Sequence, residues 1–177
     1  IVMKKLIPVN RPLIYGNEIK SLTECVKQGW ISGDGPYVDR FEKLFSKKIN
    51  KKFSISTTNG TSALEIAISS LGLKKDSHVM VPNLTIVSCL NAILKNNLKP
   101  IFVDVNIDDY NISIQDFKKK ISSKVKALIL PHTYGLCADI EIIKKYKKKY
   151  NFKVIEDCAE SLGAKYKNKY VGYFGDI

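Results

Sequence analysis

Residues 153–164 read KVIEDCAESLGA: an apolar run, Lys153-Val154-Ile155, ends on two adjacent acids, Glu156 and Asp157. Small residues follow, Cys158, Ala159, Ser161 and Gly163 among them. A strand that needed only to stop would end on Gly, Asn or Pro. Neighbouring side chains on a strand point to opposite faces, so only one of the two carboxylates can face a given pocket. Such a carboxylate needs something to hold.

Four more β-rich runs precede this one: FSIST (53–57), HVMVP (78–82), PIFVDV (100–105) and KALILP (126–131), with KVIE (153–156) as the fifth. Helical spacing fills the gaps. NEIKSLTECVKQ (17–28) puts Ile19, Leu22 and Val26 on one stripe, and YVDRFEKLFSKKI (37–49) does the same with Val38, Phe41, Leu44 and Phe45 after Pro36. TSALEIAISSLGL (61–73) is apolar nearly all round and is expected to be buried. SIQDFKKKI (113–121) opens with a capping-box variant, Ser113 and Asp116, and ADIEIIKKYKKKY (138–150) is the fifth helix. Alternating strands and helices predict an α/β fold, a mostly parallel sheet with helices on both faces. Ligands of such sheets sit beyond the carboxyl ends of the strands, which singles out Asn59, Pro82, Asp104, His132 and Asp157. The final stretch, AKYKNKYVGYFGDI (164–177), reads as two short strands around Lys167-Asn168 and a glycine-bearing turn. No closing helix follows, so the chain is expected to be a truncated form of its fold.

With 177 residues, 45% of them apolar, the chain can build one proper core. It has no apolar run of membrane-spanning length and no signal-peptide pattern at its start, so no membrane role is expected and the cytoplasm is the expected location. The cysteines Cys25, Cys89, Cys137 and Cys158 are widely spaced and only two histidines accompany them, which argues for reduced thiols and against a structural zinc site. The net charge of +12 comes almost wholly from lysine, since Arg11 and Arg40 are the only arginines. No helix-turn-helix, RNP or zinc-finger pattern goes with it, so no nucleic-acid partner is expected, and the densest run, KKYKKKY (144–150), fits a solvated helix face.

STTNGTSALEIA (56–67) is a strand, a turn at Asn59-Gly60 and a helix start at Thr61. Free N–H groups and the helix dipole make such a start an anion site; Gly60 lets the backbone approach, and Thr61 and Ser62 add hydroxyls. Ordinary capping by Asn59 or Thr61 competes with that reading. No Walker Gly-Lys-Ser/Thr follows, and Gly33 and Gly35 lack the third glycine of a dinucleotide fingerprint. A phosphate turn facing a strand-end acid suits pyridoxal phosphate, whose ring nitrogen pairs with a carboxylate, here Asp157. An Asp157 that merely caps the next turn is the competing reading. A metal set of Glu156, Asp157 and Glu160 lacks a matching His or Cys, so no metal is expected.

In order along the chain, GWISGDGPYVDRFE, NGTSAL, VPNLTIVSCLNAI, HTYGLCADI and VIEDCAESLGA…VGYFGD resemble the DegT/DnrJ/StrS family, pyridoxal-phosphate-dependent nucleotide-sugar aminotransferases with the type I aspartate-aminotransferase fold. IEDCAE is most similar to its perosamine-synthase members, which aminate the 4-keto carbon of a GDP-linked 6-deoxyhexose. The resemblance covers nearly all of the chain. It implies that residues 1–177 are the N-terminal part of the cofactor-binding large domain, with 1–30 as an arm and first helix. It further implies that Gly60, Thr61 and Ser62 bind the cofactor phosphate, that Asp157 pairs with the ring nitrogen, and that Glu160 lies near the ring's 3-oxygen. Relatives carry an aromatic over the ring at the position after P-x-x-T, which is Ile86 here; His132 and Tyr134 lie near the site. The Schiff-base lysine of the family lies in a SFSF…K stretch after FGD, expected beyond Ile177, so no catalytic residue is assigned within the chain. A nucleotide-linked keto sugar, an amino-acid donor (glutamate by family habit) and a homodimer in the intact protein complete the implication. A sugar dehydratase of the same family and a non-catalytic cofactor-binding regulator are the alternatives.

Overall fold

The computed structural model describes residues 7–8 and 11–177. The earlier part of the expected arm therefore lies outside the described residues. Four parallel strands form the sheet: β1 (His78–Pro82), β2 (Lys99–Val103), β3 (Val125–Pro131) and β4 (Lys153–Asp157), in the order β2-β1-β3-β4. Helices α3 (Gly60–Ser70) and α4 (Val87–Lys95) pack on one face, α5 (Ile114–Lys120) and α6 (Ile140–Tyr150) on the other. The alternation of a pleated strand sorts the side chains. Val79, Val81, Ala127, Ile129 and Ile155 join Leu64, Ile68, Cys89 and Ile93 in one core. Met80, Leu128, Leu130 and Val154 join Phe117, Ile140, Ile143 and Phe152 in the other. Strands buried on both faces explain why β1 and β3 read as continuous apolar runs.

Helix ends follow the expected chemistry. The Asn59 side chain accepts from Ser62 N at the start of α3, Ser113 Oγ from Asp116 N at α5, and Asp139 from Ile142 N at α6. The capping box at α5 is one-sided, because the Asp116 carboxylate turns away to accept from Asp104 N at 2.8 Å.

Two expectations need correction. Residues 53–57 form no strand: among the described residues no strand lies beside them, and Phe53 and Ile55 are 73% and 77% exposed. Glu42 of α2 (Pro36–Ile49) holds the segment instead, accepting from Ser56 N and Ser56 Oγ. Helix α3 is buried only along Leu64, Ala67 and Ile68, with Ile66 turned outward. Helix α4 was not expected from the sequence. Helix α1 (Glu18–Lys27) and α2 bury no side chain fully, and a Tyr37–Glu24 hydrogen bond of 2.6 Å joins them. The predicted final hairpin exists as β5 (Lys165–Tyr166) and β6 (Lys169–Tyr170), turning on Lys167 and Asn168, both with positive φ. No helix among the described residues is long and apolar enough to cross a membrane.

Candidate functional site

The chain runs from β1 outward to β2, then back past β1 to β3, so the strand order reverses between β1 and β3. Loops leaving neighbouring strands diverge at such a point and open a crevice at their carboxyl ends. A cleft of about 390 Å³ lies there. Leu84, Thr85 and Ile86 line it from the end of β1, Pro131 to Tyr134 from the end of β3, and Asp157, Ala159 and Glu160 from the end of β4.

The two acids of β4 separate as the pleat requires. Glu156 follows Val154 toward α6 and is buried. Its Oε2 accepts from His132 Nε2 and from Gly172 N, each at 2.9 Å, and its Oε1 accepts from Gly175 N. The Ala138 N–H donates to His132 Nδ1, so the ring proton sits on Nε2 and points at Glu156. Burial pushes the Glu156 carboxyl up, but these donors outweigh it and leave its pKa below the ordinary value. Glu156 is a structural acid.

Asp157 follows Ile155 to the opposite face and borders the cleft. Its Oδ1 accepts from Ala159 N at 3.1 Å and its Oδ2 from the Cys89 thiol at 3.4 Å. Burial pushes the Cys89 thiol up to about 12, so it stays a neutral, weak donor. The turn-capping bond read as a competitor to a cofactor role is therefore present, yet it uses only one oxygen. Glu160 reaches across the cleft, and its Oε2 accepts from Tyr134 N at 2.9 Å. Ile86, 60% exposed, stands on the cleft wall.

Gly60, Thr61 and Ser62 do not line this cleft, but one bond ties them to its wall: Thr61 Oγ1 meets Ser88 Oγ at 2.7 Å, in the first turn of the helix that follows Thr85 and Ile86. Asn59 occupies the N–H of Ser62 through its side chain and that of Ala63 through its carbonyl. The first two helical positions, Gly60 and Thr61, have no acceptor within their own helix, so their N–H groups are open to a ligand. A Cβ built on Gly60 meets nothing within 4 Å, so the approach is clear. Of the other strand-end residues, Asp104 caps its own turn through Val105 N and Asn83 Nδ2, while His132 serves Glu156.

Sequence reasoning missed Thr85, Ser88 and Cys89 because it missed α4. The signal was the PNLT turn (82–85) before an apolar nonapeptide. The weighed metal set also dissolves, since Glu156 faces away from Asp157. His132, Glu156 and Cys158 do bring ligand atoms within 4.8 Å of one another. Backbone donors engage His132 Nδ1 and both Glu156 oxygens, and burial pushes the Cys158 thiol up to about 12. That is a hydrogen-bonded network, not an open ligand set.

An all-parallel sheet with a cleft at its switch point defines a ligand-binding α/β protein. The chain belongs to the DegT/DnrJ/EryC1/StrS aminotransferase family, whose profile matches residues 12–177. It is 42% identical over 173 residues to a GDP-perosamine synthase of Escherichia coli O157:H7, covering 98% of this chain and 48% of the relative. It is 38% identical over 172 residues to a GDP-perosamine synthase of Vibrio cholerae, covering 97% and 47%. The chain thus spans about half the length of these curated relatives. Among solved structures, the E. coli GDP-4-keto-6-deoxy-D-mannose-3-dehydratase with bound hydrated PLP superposes with a TM-score of 0.90 at 25% identity, over 95% of this chain and 44% of that one.

Proposed function

We propose that residues 1–177 are the N-terminal part of the pyridoxal-phosphate-binding large domain of a cytoplasmic enzyme. That enzyme transfers an amino group, with glutamate as donor, to the keto carbon of a nucleotide-linked sugar such as a GDP-linked 6-deoxyhexose. The observation that carries this reading is the gathering of Ile86, Asp157 and Glu160 around one switch-point cleft, tied by the Thr61–Ser88 bond to a helix start with open N–H groups. Family membership and the names of the relatives support it.

Pyridoxal phosphate, when bound, supplies a ring that draws electrons from the substrate's α-carbon. The N–H groups of Gly60 and Thr61 and the hydroxyls of Thr61 and Ser62 would hold its phosphate. Ser62 N–H would not, being occupied by Asn59. Asp157 would keep the ring nitrogen protonated. Its two present donors, an amide at 3.1 Å and a thiol at 3.4 Å, leave acceptor capacity for a third. Ile86 would pack on the ring face, and Glu160 would sit near the 3-oxygen while bracing Tyr134. The Schiff-base lysine would come from the part of the relatives' length that this chain does not span, and two subunits would share the intact enzyme's sites. A dehydratase is the second reading, favoured by the TM-score of 0.90 to one; the residue at the lysine position separates the two.

The test is cofactor binding to the intact enzyme with pyridoxal phosphate labelled with nitrogen-15 in its ring. The wild type should show a protonated ring nitrogen and Asp157→Asn an unprotonated one. The same nitrogen signal in both would remove Asp157 from the cofactor site.

A further inference from the structure

Two tyrosines near the cleft occupy backbone conformations that L-residues avoid. Tyr134 has φ 52° and ψ 31°, and Tyr110 has φ 55°. Left-handed backbone is strained for a bulky residue, and glycine or asparagine is the usual occupant. Burial does not compensate, because Tyr134 is 70% exposed and Tyr110 44%. The surrounding structure nevertheless over-determines both positions. Glu160 Oε2 accepts from Tyr134 N, and the buried Asn111 accepts from Thr133 N at 3.2 Å. Tyr110 N donates to Asn106 O at 3.0 Å, within a loop that the Val105–Ile112 bridge closes. The two rings then meet edge to face, with centroids 5.9 Å apart and planes at 86°. Strain that is held in place, carries large exposed rings and borders a cleft points to a ligand contact rather than to packing.

We propose that Tyr134, buttressed by Tyr110, is the wall that receives the ring face of the acceptor sugar, an uncharged hydroxylated pyranose. The proposal rests on the cofactor reading above and adds the subsite for the second substrate. An aromatic face carries negative potential, so it disfavours phosphate and favours the weakly positive C–H face of a sugar. Tyr134 borders the same cleft as Asp157 and Glu160, and the carbon to be aminated must reach the cofactor there. The base of a nucleotide sugar lies beyond a ribose and two phosphates from that carbon. The wall is thus placed for the sugar and not for the base.

Tyr134→Gly is the decisive variant, because glycine adopts the left-handed backbone without strain while the ring is lost. Tyr134→Phe keeps the ring and serves as the conservative control. The intact enzyme, loaded with pyridoxal phosphate, is titrated with GDP-mannose and separately with GDP. Affinity comes from calorimetry and ring contacts from saturation transfer to the mannose protons. Tyr134→Gly should weaken GDP-mannose roughly three- to tenfold, abolish transfer to the mannose protons and leave GDP and cofactor binding unchanged, whereas Tyr134→Phe should match the wild type. Equal weakening of GDP and GDP-mannose would assign the wall to the base, and weakened cofactor binding would assign it to the cofactor; either result overturns the proposal. So would unchanged GDP-mannose binding. An intact wild-type enzyme that fails to bind pyridoxal phosphate would instead sink the cofactor reading, and this proposal with it.

Discussion

Glu156 accepts from three donors, so a substitution there leaves each donor searching for a replacement. Glu156→Gln keeps the shape but turns one acceptor oxygen into an amide facing an N–H, and should cost ~2–3 kcal/mol in urea unfolding at neutral pH. Its pKa is lowered in the fold, so its contribution is fully present above the unfolded value of about 4.3 and is lost as pH falls through the folded value. Wild-type stability should therefore drop as pH falls below the unfolded value, and the Gln variant should show a shallower acid limb. Parallel acid limbs in the two proteins would mean that the carboxylate's charge is not what holds the network. The same residue shows what the sequence discloses of the site. The strand-end pair and the Asn59-Gly60 turn were legible from the residues, and the resemblance alone pointed to Ile86, which lines the cleft. Alternation alone does not say which acid meets the cleft; the strand-end position and the resemblance picked Asp157, and Asp157 borders it. The His132–Glu156 bond links residues 24 apart through a parallel pairing that no local pattern announces.

At the scale of elements, the segment Gly175–Ile177 lies along the open edge of β4. Glu156 N donates to Ile177 O at 3.0 Å, and Asp176 N to Val154 O at 2.7 Å. Asp176 adds a carboxylate that accepts from Val154 N and pairs with Lys147 at 2.7 Å. Gly175 is what permits the approach, since a Cβ there would stand 2.8 Å from Ile177 O and 2.9 Å from Val154 O. Gly175→Ala should lower stability by about 1–3 kcal/mol and expose the amides of 154–156 to faster hydrogen exchange. Unchanged exchange there would show that the edge does not depend on this contact. Five helices and four sheet strands were legible because their periodicity was long or their runs apolar on both sides. Residues 53–57 had the composition of a strand, but a strand needs a partner, and pairing is not a local property. Helix α4 escaped for another reason: VSCLNAILK (87–95) has no side-chain cap at its start to mark where it begins, although Cys89, Ala92 and Ile93 are buried at helical spacing.

Across the whole molecule, a charge of +12 is spread over a chain that still exposes apolar helix faces. Ile19, Leu22 and Val26 on α1 and Phe41 and Leu44 on α2 are each more than half exposed. Repulsion between copies opposes contact through these faces, and salt removes the repulsion: the Debye length falls from about 30 Å at 0.01 M to about 8 Å at 0.15 M. Sedimentation should therefore show more self-association at the higher ionic strength, whereas an association that weakens with salt would mean that charge pairs, not apolar faces, bring copies together. The strand order carries a consequence of another kind, for the chain while it is being made. Translation delivers β1 and β2 first, and they can pair, with α4 between them, before β3 exists. The crevice needs the ends of β1, β3 and β4 side by side, so its walls stay incomplete until Glu160 has left the ribosome. Until then the nascent polypeptide has no closed crevice to offer a ligand, and occupancy must wait for the later strands of the sheet.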